Sequence, residues 1–125
     1  MITIGIDPHK SSHTAVALDE AGRVLGELRV AANKAMLERL LHWAERWPDR
    51  IWAVEGAAGL GHLLAQRLVA REETVLDVPA TLAARARLLA RGHGRKTDGI
   101  DAASVARVAQ SQADLRRVGP EDHSA

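Results

Sequence analysis

Cysteine, phenylalanine and tyrosine are all absent from the chain, and each absence narrows what it can do. Without cysteine there is neither a disulfide framework nor a Cys-ligated zinc site. The three aromatic residues, Trp43, Trp47 and Trp52, are too few for the base-stacking platforms of RRM-type or OB-type single-strand binders. The sequence also lacks an apolar run of about 18 residues and a basic segment leading into an apolar one. We therefore expect a soluble, cytoplasmic protein.

The residues that are present suit one compact domain. The chain has 125 residues, of which 46% are hydrophobic, so leucine, valine, isoleucine and alanine must build the core. A net charge of +1 predicts no acidic partner, but the charge is unevenly distributed. Residues 79–97 contain no acid and five positive side chains. Such a run is either a solvated helix face or a surface that contacts nucleic acid. These side chains are Arg85, Arg87, Arg91, Arg95 and Lys96.

Hydrophobic periodicity predicts an α/β fold. Ile2, Ile4 and Ile6 alternate with polar or small residues, which indicates a strand that ends at Pro8. Further strands are expected at 13–18, 24–30, 51–55 and 74–78, and helices at 33–47, 60–71, 79–91 and 98–110. Strands that alternate with helices after an opening meander predict a mixed five-stranded sheet flanked by helices. The pattern decays after residue 110, so 111–125 is predicted to be a linker or the start of a following region.

Two details concern individual helices. Asn33 is a candidate cap for the first helix. The third helix is expected to pack through Leu82, Ala86 and Leu89, with its arginines largely elsewhere.

Asp7 and Glu55 each close a predicted strand. In open α/β sheets, the carboxyl ends of the strands form the edge where ligands bind. Asp7 lies on the strand face opposite the three isoleucines, and Glu55 directly follows the apolar run 51–54. A charge at the end of a buried strand is costly unless it is paired or bound to a metal.

Asp98 and Asp101 are neighbours on one face of the last predicted helix, because they are three residues apart. That face continues through Val105 and Val108, so both acids extend the surface that should pack on the sheet. The alternative is that Asp98 caps the helix and Asp101 is a first-turn acid favoured by the helix dipole.

Four converging carboxylates would suit Mg²⁺ or Mn²⁺. Hard divalent ions take oxygen ligands, and a two-metal phosphoryl-transfer site needs three or four acids. The basic run before Asp98, above all Arg95 and Lys96, would then hold phosphates near the acids. Asp77, His9 and His13 are assigned structural, turn or surface roles. A glycine-rich turn at 56–61 is expected to start a helix close beside Glu55.

Three segments together resemble a known family. Residues 5–10 (GIDPHK), 54–57 (VEGA) and 95–102 (RKTDGIDA) are similar to the DEDD motif of bacterial insertion-sequence transposases whose recombination is guided by a bridge RNA. The resemblance implies a RuvC-like, RNase H-like fold, Mg²⁺ or Mn²⁺, DNA strand cleavage and exchange, guide RNA and a homo-oligomeric full-length protein. It also implies that Asp7, Glu55, Asp98 and Asp101 are the catalytic metal ligands.

The resemblance also marks what this sequence lacks. Members of the family continue into a C-terminal domain with a nucleophilic serine, and no comparable serine motif is present here. We therefore expect a piece of a longer protein. Two alternatives remain open: a non-catalytic nucleic-acid-binding or oligomerising fragment, and half of an actin-like ATPase, whose first phosphate loop also follows a Gly-x-Asp strand.

Overall fold

The computed structural model describes residues 1–90 and 98–120, without the side chains of residues 90 and 98–100. Its elements follow the order that the sequence predicted. The strands are β1 (Ile2–Pro8), β2 (Ser12–Leu18), β3 (Val24–Ala31), β4 (Arg50–Glu55) and β5 (Val75–Val78). The helices are α1 (Met36–Ala44), α2 (His62–Ala70), α3 (Ala80–Ala90) and α4 (Asp98–Ser111).

The five strands form one mixed sheet in the order β3-β2-β1-β4-β5. β2 is antiparallel to both of its neighbours, whereas β4 runs parallel to β1 and to β5. The predicted fold class is therefore confirmed. Because β1 and β4 are parallel and Ile6 is in register with Val54, their carboxyl ends lie side by side at one edge.

Alternation along β1 divides the two faces of the sheet. Ile4 and Ile6 are fully buried in the larger core cluster, which also contains residues of α1 and α2. Gly5 faces the opposite way, towards α4, and a Cβ placed on it would lie 2.1 Å from the carbonyl oxygen of Ala102. The backbone of α4 therefore rests almost directly on β1.

The larger core is mainly aliphatic, as the composition predicted, with Trp52 as its largest fully buried side chain. The indole Nε1–H of Trp52 donates to Glu73 Oε1 at 2.6 Å. Arg50 Nε donates to the same oxygen at 2.8 Å. These two bonds satisfy the polar atom of the tryptophan and tie β4 to the turn before β5.

Two local predictions were wrong. Helix α1 begins at Met36, because the side chain of Asn33 accepts a hydrogen bond from Ala35 N at 2.9 Å and forms a turn outside the helix. In α3 the prediction was wrong for Leu89, which is 84% exposed, whereas Leu82 and Ala86 pack as predicted against a cluster that contains the fully buried Ala83.

Part of the predicted linker packs against the sheet. Val118 is buried, and its amide donates to the Val75 carbonyl at 2.8 Å. Asp77 N donates to the Arg116 carbonyl at 2.9 Å. Residues 116–118 thus run along the outer edge of β5, and a separate region further along the chain stays a prediction. Among the described helices, none has the length and apolar character needed to cross a membrane.

Candidate active site

Three of the four predicted acids lie on the α4 side of the sheet. Asp7 and Glu55 follow the register pair Ile6 and Val54 on adjacent parallel strands. Asp7 is two residues after Gly5 and Glu55 is two residues after Ala53, and both of those residues face α4. Asp101 lies directly before Ala102, whose carbonyl oxygen packs against Gly5. The close approach of α4 to β1 therefore places Asp101 on the same side as Asp7, and only 2% of Asp101 is exposed.

Asp7 and Glu55 interact through their carboxyl groups. Burial of Asp7 and a hydrogen bond shared with Glu55 raise the pKa of Asp7 from 3.8 to about 6, while nearby His9 opposes the shift. In such a pair the protonated carboxyl group donates to the ionised one. Asp7 also contacts a histidine, since His9 Nε2 lies 2.9 Å from Asp7 Oδ2. Asp7 is therefore the centre of a chain of three titratable groups.

Arg87 of α3 links the other two acids. Its Nη1 donates to Glu55 Oε1 at 3.1 Å and to Oε2 at 3.3 Å. Its Nε lies 3.5 Å from Asp101 Oδ1. The guanidinium group thus supplies positive charge between two acids that come from β4 and α4, which are distant in sequence.

The loop after Glu55 is shaped by glycine and by Asp77. Gly56 has a φ of +60°, which favours glycine. A Cβ on Gly61 would lie 2.5 Å from Val54 Cγ1, so the start of α2 approaches β4 closely. Asp77 Oδ1 accepts a hydrogen bond from Ala57 N at 3.0 Å. This loop holds α2 beside Glu55, and Asp77 has a structural role there.

The structure describes the remaining predicted site residues unevenly. Asp98 begins α4, one turn before Asp101, and its side chain lies outside the described residues. Arg91, Arg95 and Lys96 also lie outside them. Arg85 is exposed on α3, as a nucleic-acid contact would require. The assignment of all these residues stays a prediction.

Sequence reasoning missed the position of Arg87, which was grouped with the nucleic-acid contacts but contacts the acids. One signal was available, since Arg87 follows the buried Ala83 by four residues and so shares its helix face. The prediction had assigned the packed face to Leu82, Ala86 and Leu89, with the arginines largely elsewhere.

The acids do not by themselves form a finished metal site. Within residues 1–90 and 98–120, no group of three or more acidic or histidine side chains is arranged to hold a metal ion. The donor set nevertheless fits a hard divalent cation, because it consists of carboxylate oxygens. The carboxyl group of Asp7 among them has a raised pKa. The Arg87 guanidinium stands where two acids require a positive charge.

The mixed sheet and its flanking helices define a RuvC-like fold of the RNase H-like class. RuvC from T. thermophilus in complex with a Holliday junction substrate has a TM-score of 0.70 and 18% sequence identity, covering 94% of this chain and 99% of that one. A second Thermus thermophilus RuvC structure gives a TM-score of 0.68 at 18% identity, covering 94% of this chain and all of that one (100%). At this identity the likeness concerns the fold.

Sequence comparison identifies the family within that class. The model of the IS110-type DEDD transposases, described as a transposase, matches residues 4–125. An uncharacterized 44.8 kDa protein of insertion element IS116 from Streptomyces clavuligerus is 35% identical over 116 residues, which are 93% of this chain. An uncharacterized 42 kDa protein of IS900 from Mycobacterium paratuberculosis is 34% identical over 116 residues, or 90% of this chain.

The chain therefore belongs to the IS110-type DEDD transposase family, as the three motif segments predicted. This membership favours the transposase reading over the actin-like ATPase. The chain spans 28% and 29% of the length of the two insertion-element relatives.

Proposed function

We propose that this chain is the metal-dependent catalytic domain of a DNA transposase, with Asp7, Glu55, Asp98 and Asp101 as its metal ligands. The observation that carries the proposal is the convergence of acids from β1, β4 and α4 at the carboxyl edge of the sheet. Arg87 reaches Glu55 and Asp101 together, which requires those two carboxylates to be close. The Glu55 carboxyl group helps to raise the pKa of Asp7, which requires these two acids to be close as well. Burying a cluster of acids is costly unless they are paired or bind a metal, and such clusters concentrate at functional sites.

Mg²⁺ or Mn²⁺ is the proposed cofactor. When bound, such ions supply the positive charge that stabilises the oxygens of a phosphoryl group during its transfer. Asp7, Glu55 and Asp101 would hold the ions through carboxylate oxygens, with Asp98 as the fourth ligand. Arg87 would have to release Glu55 and Asp101, because the oxygens of Glu55 now accept its hydrogen bonds and Asp101 Oδ1 forms an ion pair with its Nε. The guanidinium group thus holds the acids together before an ion is bound.

The proposed substrate is DNA, and a bridge RNA is the proposed guide. Arg85 and the positive residues Arg91, Arg95 and Lys96 would contact phosphates beside the acids. Arg87 would join them once released from Glu55 and Asp101. Strand exchange by the whole protein would additionally need a serine nucleophile from a C-terminal domain and assembly as a homo-oligomer.

A metal titration followed by thermal melting tests this function. Mn²⁺ or Mg²⁺ should stabilise the parent by mass action, by about 2.7 kcal/mol at 100 times the dissociation constant. Asp7→Asn should lose most of that shift. Asp114→Asn, which removes an exposed acid far along the chain from the cluster, should keep it. Equal metal-induced shifts in all three proteins would overturn the metal site and favour a non-catalytic nucleic-acid-binding domain.

A further inference from the structure

A cleft of about 400 Å³ opens on the side of the sheet that carries α1 and α2, opposite the side on which the acids lie. We name it the basic cleft, and define it by the positive or titratable side chains that line it. These are His9, Lys10, His13, Lys34 and Arg67. They come from the β1–β2 turn, the start of β2, the loop before α1 and the middle of α2, so no run of charge in the sequence reveals the cleft.

Three cations of the basic cleft have no acidic partner within the described chain. Its lining includes no carboxylate among residues 1–90 and 98–120. Lys10, Lys34 and Arg67 form no ion pair with any carboxylate described there. Other arginines of the chain do have acidic partners, since Arg71 pairs with Glu38 and Arg50 pairs with Glu73. Three unpaired cations around one cavity favour an anionic ligand.

His13 supplies an independent sign that the basic cleft binds something. The residue is 5% exposed, and its Nδ1 is buried without a hydrogen-bond partner in the described chain. Leaving a buried polar atom unsatisfied is costly, and such atoms often mark a site that a ligand or water completes. Burial also lowers the pKa of His13, so that its imidazole is neutral near pH 7. A neutral imidazole has one N–H that can donate to a phosphate oxygen.

The walls of the basic cleft are held by backbone hydrogen bonds. His9 N donates to Ser12 O at 2.9 Å across the β1–β2 turn. Ala32 N donates to Ser11 O at 2.9 Å, which ties the end of β3 to the same turn. Two walls are therefore preformed, and a ligand would pay little to order them.

We propose that the basic cleft binds the phosphodiester backbone of a nucleic-acid strand as that strand leaves the acids. This proposal rests on the proposed function and deepens it by assigning the path of the strand. His9 connects the two places, because it lines the cleft and lies 2.9 Å from Asp7. A phosphate held by Lys10, Lys34 and Arg67 would be followed along the strand by one near the acids. The exposed Leu60 and Leu63 on the α2 wall would contact sugars.

The test compares two double variants that each remove two positive charges. Lys34→Gln/Arg67→Gln changes the basic cleft, whereas Arg23→Gln/Arg39→Gln changes exposed arginines outside it. Binding of a fluorescent single-stranded DNA and of an RNA of the same sequence is measured across salt concentrations. Each phosphate contact contributes about 0.7 to the salt slope for single strands, so the cleft variant should lose about 1.4. The matched variant should keep the parent's slope.

The outcomes separate the cleft from the function on which it rests. Loss of slope with both strands supports backbone recognition, and loss with RNA alone identifies the strand as RNA. An unchanged slope in the cleft variant, with a parent that binds, overturns the cleft and leaves the proposed function standing. A parent that binds neither strand at low salt overturns the proposed function and the cleft with it. Should Arg67→Gln fail to fold, Lys10→Gln/Lys34→Gln replaces it.

A second readout addresses His13. In nitrogen NMR spectra of the parent, adding the oligonucleotide should shift the imidazole resonances of His13. His42, which is exposed on α1, serves as the internal control and should not shift. Equal movement of both rings, or movement of neither, would overturn a ligand contact at His13.

Discussion

The carbonyl oxygen of Ala102 leaves no room for a side chain at Gly5, because a Cβ at that position would lie 2.1 Å from it. The next two contacts, at 2.7 and 2.9 Å, are also to α4. Because the obstacle is helix backbone, α4 would have to move away from β1 to accept a methyl group. Asp101 precedes Ala102, so the position of this acid depends on the absence of a side chain at Gly5.

We expect Gly5→Ala to destabilise the domain and to disturb the acidic cluster. Overpacking costs roughly 1–3 kcal/mol, and contact with backbone places this case at the upper end. Urea unfolding measures the loss in free energy. Gly119→Ala is the matched control, because nothing lies within 4 Å of its added Cβ. Equal stability of the two variants would show that α4 does not rest on β1 as described.

Arg87→Gln should lower the free energy of unfolding of the metal-free domain and raise its affinity for metal. Loss of the charged hydrogen bonds to Glu55 should cost about 2 kcal/mol in the absence of metal. Mn²⁺ should then raise the melting temperature of the variant more than that of the parent, since the acids no longer have to release a guanidinium group. Arg85→Gln, which changes an exposed arginine of the same helix, should behave as the parent does. A smaller metal effect in Arg87→Gln would instead make Arg87 a support of the metal-bound state.

The raised pKa of Asp7 predicts a pH-dependent stability in metal-free buffer. Its pKa is about 6 in the folded chain against an ordinary value of 3.8. Between these values the folded state binds more protons than the unfolded one, so the contribution of Asp7 to stability falls as pH rises. Asp7→Asn should therefore gain stability relative to the parent from about pH 4 to pH 6. A constant difference across this window would contradict the raised pKa.

His13 should act in the opposite direction. Burial lowers its pKa below 6.5, so the unfolded state takes up a proton first as pH falls. The contribution of His13 is fully present above pH 6.5 and is lost as pH decreases through the folded-state pKa. His13→Gln should flatten this acid-side decline in denaturation curves. His42→Gln, at a side chain that is 85% exposed, should leave the decline unchanged.

The sequence predicted those features that depend on local periodicity. Alternation along β1 placed Asp7 opposite the isoleucines, and the three-residue spacing placed Asp101 one turn after Asp98. Both predictions need only the repeat of a strand or a helix. The assignment of the edge as a site followed from the direction of β1 and β4, which the βαβ order implies.

What the sequence could not predict depends on contacts between distant segments. Arg87 reaches Glu55 across 32 residues; its spacing from Ala83 separates it from the exposed Arg85, but the helix sequence does not show that this face packs against the acids. Asn33 has the residue type of a helix cap, but its bond to Ala35 N makes a turn instead. Lys10, Lys34 and Arg67 surround one cleft only because β2 and β3 bring the first turn next to α1.

The return of residues 116–118 along β5 has a consequence for association in solution. An uncovered edge strand offers unpaired amides and carbonyls on which another chain can add a strand and begin to aggregate. On β5, the bonds from Val118 N to Val75 O and from Asp77 N to Arg116 O occupy part of that edge. At the opposite edge, β3 carries exposed Glu27 and Arg29, whose charges discourage pairing in a different way. Both edge strands of the sheet are therefore poor sites for the addition of a strand from another chain.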